Sequence, residues 1–220
     1  MYRLHGKADW GSQVIRMALE ELGAAYDFRE QDIEAGDLAS PAYRAMNPFG
    51  RLPVLETPEG ALFETGAILQ YLSEKHHALA PAPGDADRGR FLVWFTFVVN
   101  QLHPTIMTLV HPERPGGVEV SAQISAVART ELLRQMAALE DETTRGAWWL
   151  SAPRPSILSL YVLMLLRWAA CFAAHPKDGV EARAYPSLFA LAERLEARPA
   201  IQRVMAAEGL SGAAFSAPQA

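Results

Sequence analysis

The sequence predicts two unlike parts: a small α/β domain of order β-α-β-α-β-β-α over residues 1–79, and an all-α helical bundle over residues 88–220. Three observations carry this reading. Strand-like and helix-like hydrophobic patterns alternate through the first 80 residues; the run Ala80-Pro81-Ala82-Pro83-Gly84-Asp85 then interrupts all periodicity; and only helical spacing follows it. Residues 80–87 are therefore expected to be a linker between a sheet covered by helices and a bundle.

Tyr2 to His5 is a short strand candidate closed by Gly6. Val14, Ile15, Ala18, Leu19 and Leu22 recur at helical spacing, and Gly23 stands where a C-terminal glycine stops a helix. Ala25 to Gln31 alternates as a second strand, and an acidic irregular stretch, Asp32 to Asp37, follows. Ser40-Pro41 opens a short helix with serine as cap and proline in the first turn. Val54 to Glu56, the turn Thr57-Pro58-Glu59-Gly60, and Ala61 to Phe63 form a hairpin, after which Glu64-Thr65-Gly66 leads into a helix bearing Ile68, Leu69, Tyr71 and Leu72.

Beyond the linker, Phe91, Phe95 and Val99, with Trp94, Val98, Leu102 and Ile106, form a wide stripe on a long helix that Pro104 should kink or end in part. His111 to Gly117 reads as a loop, and Ile124, Ala128, Leu132 and Met136 mark a second helix ending before Gly146. The run Ile157 to Ala174 is apolar nearly all round, interrupted by Ser159 and Arg167, and belongs at the centre of a bundle rather than in a bilayer. Tyr185-Pro186 starts a further helix, and Arg198-Pro199 separates it from a last short one.

Composition narrows the function. Half of the 220 residues are hydrophobic and a fifth are charged, which is an ordinary globular balance. The single cysteine, Cys171, excludes an intramolecular disulfide, a Cys-x-x-Cys redox pair and a multi-cysteine metal site, and points to a cytoplasmic protein. A net charge of −5 supplies no basic field for nucleic acid or anionic lipid, so neither is expected as a partner. The imbalance is local: residues 1–80 hold 7 Lys/Arg against 12 Asp/Glu, and the rest is balanced. The N-terminus has no apolar run of the kind that marks a secretory signal. His76 and His77, being adjacent, make a poor metal pair on a helix, and no metal is expected.

The informative segment is Asn47-Pro48-Phe49-Gly50-Arg51-Leu52-Pro53-Val54-Leu55, followed by Glu64-Thr65-Gly66-Ala67-Ile68. A cis bond before Pro53 would turn the Leu52 backbone outward and leave its N–H and C=O to pair with a peptide laid alongside; a plain hairpin-entry turn is the other reading. Thr65 stands at a helix N-terminus, where unpaired N–H groups favour an anion, and it serves either as the helix cap or as a ligand for a carboxylate.

These motifs resemble the glutathione transferase family, and the resemblance covers nearly the whole chain: a thioredoxin-like domain first, an all-α domain after it, and a closing segment, Tyr185 to Leu210, similar to that of bacterial members. The resemblance implies that Leu52 and Pro53 receive the cysteinyl part of glutathione, that Thr65 holds the γ-glutamyl carboxylate, that Glu64 lies near the α-amino group, and that Arg51 or Arg44 meets the glycyl carboxylate. It also implies a homodimer. Relatives place a basic residue after the second strand, where this chain has Asp32, Glu34 and Asp37, so weaker glutathione affinity is expected.

Catalysis in this family needs the glutathione thiolate, while a free thiol with a pKa of about 8.5 is mostly protonated at neutral pH. Relatives carry Tyr, Ser or Cys between the first strand and first helix; here the loop reads Lys7-Ala8-Asp9-Trp10-Gly11-Ser12-Gln13. Ser12 is its only hydroxyl, and is either the activator or the helix cap; the N–H groups of Gly11 and Ser12, with the Trp10 indole, are the alternative donors. The electrophile pocket is expected between the domains from Trp10, His103, Met107 and His111, His103 matching a family position and otherwise reading as a bundle residue. Ser156 and Ser159 fall where relatives have a Ser/Thr-x-x-Asp capping box, and serine in place of the acid should weaken the reciprocal bond.

The function implied is attack of the glutathione thiolate on a hydrophobic electrophile. Glutathione-dependent isomerisation, dehalogenation or ether cleavage, and glutathione or ligand binding with little catalysis, are the alternatives.

Overall fold

The computed structural model describes residues 1–218 and divides into two compact units: Met1–Ala78 with Pro199–Leu210, and Leu79–Arg198 with the segment from Ser211. In the first unit β1 (Tyr2–Gly6), β2 (Tyr26–Glu30), β3 (Val54–Thr57) and β4 (Gly60–Phe63) form one sheet in the order β2-β1-β3-β4. β1 and β2 are parallel, with Leu4 opposite Phe28; β3 runs antiparallel to both β1 and β4, with Leu55 opposite Leu4 and Leu62. This is the mixed thioredoxin-like sheet expected from the sequence. The crossover between the parallel strands is α1 (Ser12–Leu22), stopped by Gly23 in the left-handed region (φ 61°).

The remaining helices of this unit are α2 (Pro41–Met46), capped by the Ser40 hydroxyl, which accepts from the Tyr43 N–H, and α3 (Thr65–His76). Leu4, Val54 and Leu55 from the sheet join Ile15, Leu19, Ile68, Leu69 and Leu72 from α1 and α3 in a fully buried core. Ser12 through Leu19 are all buried, polar Gln13 and Arg16 included. An amphipathic helix on a sheet leaves one face in water; here α9 (Pro199–Ala207) covers it with Ile201, Val204 and Met205. Sequence reading places this last helix in the bundle, whereas its apolar face docks on the first unit.

The second unit is helical, as expected. α4 (Arg88–Phe97) runs through a widened turn, Val98–Leu102, in which the His103 N–H bonds to the Val98 carbonyl, into α5 (His103–Val110). Pro104 has no N–H and its ring would strike the carbonyl four residues back, so the extra residue in the preceding turn absorbs it and the helical path continues instead of ending. By length and composition Arg88–Val110 is long and apolar enough to cross a bilayer, but Phe91, Phe95, Val98, Leu102, Ile106 and Leu109 are buried as a stripe inside this unit.

α6 (Ser121–Thr144), α7 (Ile157–Cys171) and α8 (Pro186–Glu196) complete the bundle. α7 is buried from Ile157 to Ala169. Its capping box closes fully: Ser156 Oγ accepts from the N–H groups of Leu158 and Ser159, each at 3.1 Å, and the Ser156 N–H donates to Ser159 Oγ at 2.8 Å. Serine thus makes the reciprocal bond that the sequence reading expected to be weak, because burial excludes competing water.

Candidate functional site

In the first unit the peptide Leu52–Pro53 is cis. The loop before it is held from behind. The Arg51 carbonyl accepts from the Tyr43 hydroxyl and from Asn47 Nδ2, both at 2.9 Å, and buried Asn47 also accepts from the Phe49 N–H at 3.0 Å. Burial raises the pKa of the Tyr43 hydroxyl, which keeps it a donor. Gly50 has φ 58°, and a Cβ there would stand 2.7 Å from the Leu38 carbonyl oxygen, so only glycine makes this corner. With the loop fixed at Arg51, the N–H and C=O of Leu52 make no hydrogen bond to another described residue. The Arg51 side chain is exposed beside them.

α3 begins next to this corner in sequence. Glu64, exposed, precedes it at φ 70° and ψ 115°, outside the usual regions for a residue with a side chain. Such strain persists where the surroundings impose it, and it clusters at ligand clamps. The first bond of the helix runs from the Ile68 N–H to the Glu64 carbonyl, leaving the N–H groups of Thr65, Gly66 and Ala67 without intrahelical partners. Thr65 is 8% exposed and is the first helical residue, not the cap; its hydroxyl makes no cap bond. Three backbone donors and one hydroxyl therefore gather at the positive end of α3.

The β1–α1 loop departs from expectation at Ser12. Gly11 occupies the cap position, and Ser12 begins α1 with its side chain wholly buried. Its hydroxyl donates to the Lys7 carbonyl at 2.9 Å and accepts from the Lys7 N–H at 3.1 Å. A Cβ on Gly6 would lie 2.4 Å from Ser12 Oγ, so the two small residues were chosen as a pair. Ser12 is accordingly neither helix cap nor exposed hydroxyl: its proton is spent closing the loop.

The donors left in this loop are the N–H groups of Gly11 and Ser12, which make no hydrogen bond to other described residues, and Trp10, whose side chain is 43% exposed. Asp9 has φ 60°, and its N–H donates to Glu208. Burial pushes the Glu208 carboxyl up, opposed by the Asp9 N–H, the Gln13 amide and Arg16.

The acidic stretch after β2 is occupied with itself. Asp32 Oδ1 accepts from the N–H groups of Glu34 and Ala35, each at 3.0 Å, and Asp37 Oδ2 accepts from the Asp32 N–H at 2.7 Å. Two of its three carboxylates therefore serve as turn formers. Arg44 is likewise engaged, donating to the Pro48 carbonyl at 2.6 Å, which leaves Arg51 as the available guanidinium.

Of the residues expected in the second unit, His103 is packed between Tyr161 and Trp168, with ring centroids 5.6 and 5.4 Å away. His103 Nδ1 and the Tyr161 hydroxyl share a hydrogen bond of 2.6 Å, and burial lowers the His103 pKa to about 4, so the ring is neutral. It is thus a bundle residue in this unit. Met107 is partly exposed, and His111 Nδ1 lies 3.4 Å from Glu113 Oε1. Among the described residues no three His, Cys, Asp or Glu side chains converge as a metal site.

Two shaping residues escape sequence reading. Tyr43 sits on a short helix with no motif, and Glu208 follows α9, 199 residues from its partner Asp9.

Comparison with known proteins agrees with this geometry. Residues 2–74 match the model of the glutathione S-transferase N-terminal domain. Glutathione S-transferase GstA of Escherichia coli O157:H7 is 30% identical over 188 residues, which is 84% of this chain and 85% of that protein. A sphingomonad glutathione S-transferase solved with glutathione is 28% identical, with a TM-score of 0.76, covering 95% of this chain and all of that one (100%). A glutathione transferase from Methylococcus capsulatus is also 28% identical, with a TM-score of 0.77 over 95% of this chain and 99% of its own. With the fold, the cis-proline corner and similarity along most of its length in agreement, the chain belongs to the glutathione S-transferase family.

Proposed function

We propose that the protein is a glutathione transferase that joins the glutathione sulfur to a hydrophobic electrophile. The observation that carries this is the pairing, within the first unit, of an unpartnered Leu52 backbone at a cis-proline with the unpartnered N–H groups of α3 behind a strained Glu64. Each half suits one part of glutathione. Leu52 would pair with the cysteinyl backbone as an added strand, Pro53 keeping the corner; Thr65 and the α3 N–H groups would take the γ-glutamyl carboxylate; Glu64 would meet the α-amino group; Arg51 would meet the glycyl carboxylate.

The thiol then has to lose its proton. Lowering its pKa by two units, from about 8.5, means favouring the thiolate by roughly 2.7 kcal/mol. With Ser12 committed to Lys7, the groups that suit this task are the Gly11 and Ser12 N–H donors at the α1 N-terminus and the Trp10 indole N–H. The thiolate attacks the electrophilic carbon, a C–S bond forms, and the leaving group departs with its electron pair or, in an addition, the electrons move onto the acceptor. Trp10, half exposed beside the loop, offers an apolar face to the electrophile.

Retention on immobilised glutathione, followed by assay against aryl halides, an epoxide and an unsaturated carbonyl, tests this. Binding with turnover supports the proposal, and no binding rejects it. Binding without turnover would favour a glutathione-binding protein with little catalysis, a reading that the spent Ser12 hydroxyl supports. Turnover confined to isomerisation, dehalogenation or ether cleavage would reassign the reaction. We further propose a soluble, cytoplasmic homodimer. Leu92, Val93, Trp94 and Phe97 line a groove of about 570 Å³ on the outer face of α4, and Val93 is 65% exposed; such an apolar patch suits a second copy. Mass measurement by light scattering decides between monomer and dimer.

A further inference from the structure

The buried carboxylate of Glu208 is used by nothing in the mechanism above. Its side chain is fully buried in the first unit, just past α9, and its two oxygens face different partners. Oε2 accepts from the Asp9 N–H at 2.9 Å and from Gln13 Nε2 at 2.8 Å. Oε1 pairs with Arg16 Nη1 at 3.1 Å, and the Arg16 guanidinium, itself 8% exposed, lies 4.3 Å over the Phe28 ring.

A buried carboxylate is costly unless its partners are many and well placed, and this one meets three donors. The target of Oε2 is specific. Asp9 holds φ 60°, a conformation in which a side-chain-bearing residue is strained, so something must repay that strain. The hydrogen bond from its N–H does so, and Asp9 is the residue at which the chain turns before Trp10 and Gly11. Lys7 is fixed separately by Ser12, so the loop is pinned at both ends, through Lys7 and through Asp9.

We propose that Glu208 is a positioning residue: by holding Asp9 in the left-handed conformation it aims the Gly11 and Ser12 N–H groups and the Trp10 indole at the glutathione sulfur. The inference rests on the reading that these donors stabilise the thiolate. Oε2 acts by reach and Oε1 by charge, and two conservative variants separate them. Glu208→Gln keeps an acceptor at full length for Asp9 and gives up the ion pair with Arg16. Glu208→Asp keeps the charge but withdraws it by one methylene.

Three readouts are taken on the full-length protein. Amide exchange at Asp9 is measured without glutathione; the thiol pKa of bound glutathione is followed by thiolate absorbance; and kcat and KM are measured with one electrophile. In Glu208→Gln the Asp9 amide stays protected and kcat stays within about threefold of wild type, whereas in Glu208→Asp the amide exchanges faster, the thiol pKa rises by about one unit and kcat at neutral pH falls about tenfold. KM for glutathione stays within about twofold in both, because Leu52 and Thr65 are untouched. Unchanged protection and thiol pKa in Glu208→Asp overturn the proposal, as does Glu208→Gln losing as much as Glu208→Asp. A wild-type complex with no lowered thiol pKa would instead refute the thiolate reading, while the Asp9 amide still decides whether the clamp exists.

Discussion

His103 offers a measurable link between packing and pH. Its ring lies against Tyr161 and Trp168, shares a hydrogen bond with the Tyr161 hydroxyl, and has its pKa lowered from 6.5 to about 4 by burial. The unfolded chain binds a proton at this residue from pH 6.5 downward, and the folded chain only near 4. Stability from the neutral ring is therefore complete above 6.5 and is lost as the pH falls toward 4. Lowering the pH from about 7.5 to about 5 gives a loss of roughly 2 kcal/mol by linkage, reduced to roughly 1–2 kcal/mol by screening at the partly exposed edge of the ring. The perturbation is His103→Asn, which keeps a polar partner for Tyr161 and cannot titrate. Denaturant unfolding of both proteins across this range, at one protein concentration, gives the wild type minus variant difference, in which other titrating groups cancel. That difference should shrink by about 1–2 kcal/mol between the two ends of the range. Parallel curves, or a His103 ring titrating near 6.5 by NMR, would refute the reasoning.

Three substitutions test the rest of the picture. Ser12→Ala leaves the Lys7 N–H unpaired and its C=O with the Trp10 N–H alone, and should cost about 1–2 kcal/mol of stability while leaving the pKa of bound glutathione's thiol unchanged; a raised thiol pKa would return Ser12 to the chemistry. Thr65→Ala should weaken glutathione binding by about 1.5–3 kcal/mol, roughly 10- to 100-fold by calorimetry, with Thr65→Ser restoring it; an unchanged affinity would place the carboxylate elsewhere. Ser159→Ala removes the acceptor for the Ser156 N–H and should lower stability by about 1–2 kcal/mol, seen as a fall in Tm with kcat/KM unaltered.

Most of the fold was legible because its signals are local. Gly23, Ser40-Pro41, the Thr57–Gly60 turn and the linker each punctuate the chain within a few residues, and the structure places element boundaries beside them. The Leu52–Pro53 corner and the start of α3 were also local, and the expected unpaired groups are there. What failed was any property set at a distance. Ser12 looks like a cap or an activator until Gly6 brings it against Lys7. Glu208 carries no motif, since its meaning comes wholly from Asp9, Gln13 and Arg16 far upstream.

The docking of α9 has a consequence for how the molecule is made. The unit that carries the cis-proline corner is discontinuous in sequence: residues 1–78 need Pro199–Leu210, and the entire stretch between them belongs to the other unit. During synthesis the sheet and α1–α3 therefore emerge long before the helix that buries Gln13 and Arg16, and Arg16 waits for Glu208. An excised fragment ending at residue 78 would present the outer face of α1 to water, with Arg16 deprived of its counter-charge and the apolar residues beside it uncovered. Fusion or truncation that disturbs residues 199–210 would accordingly be felt first in the loop that begins α1, although that loop lies at the opposite end of the chain.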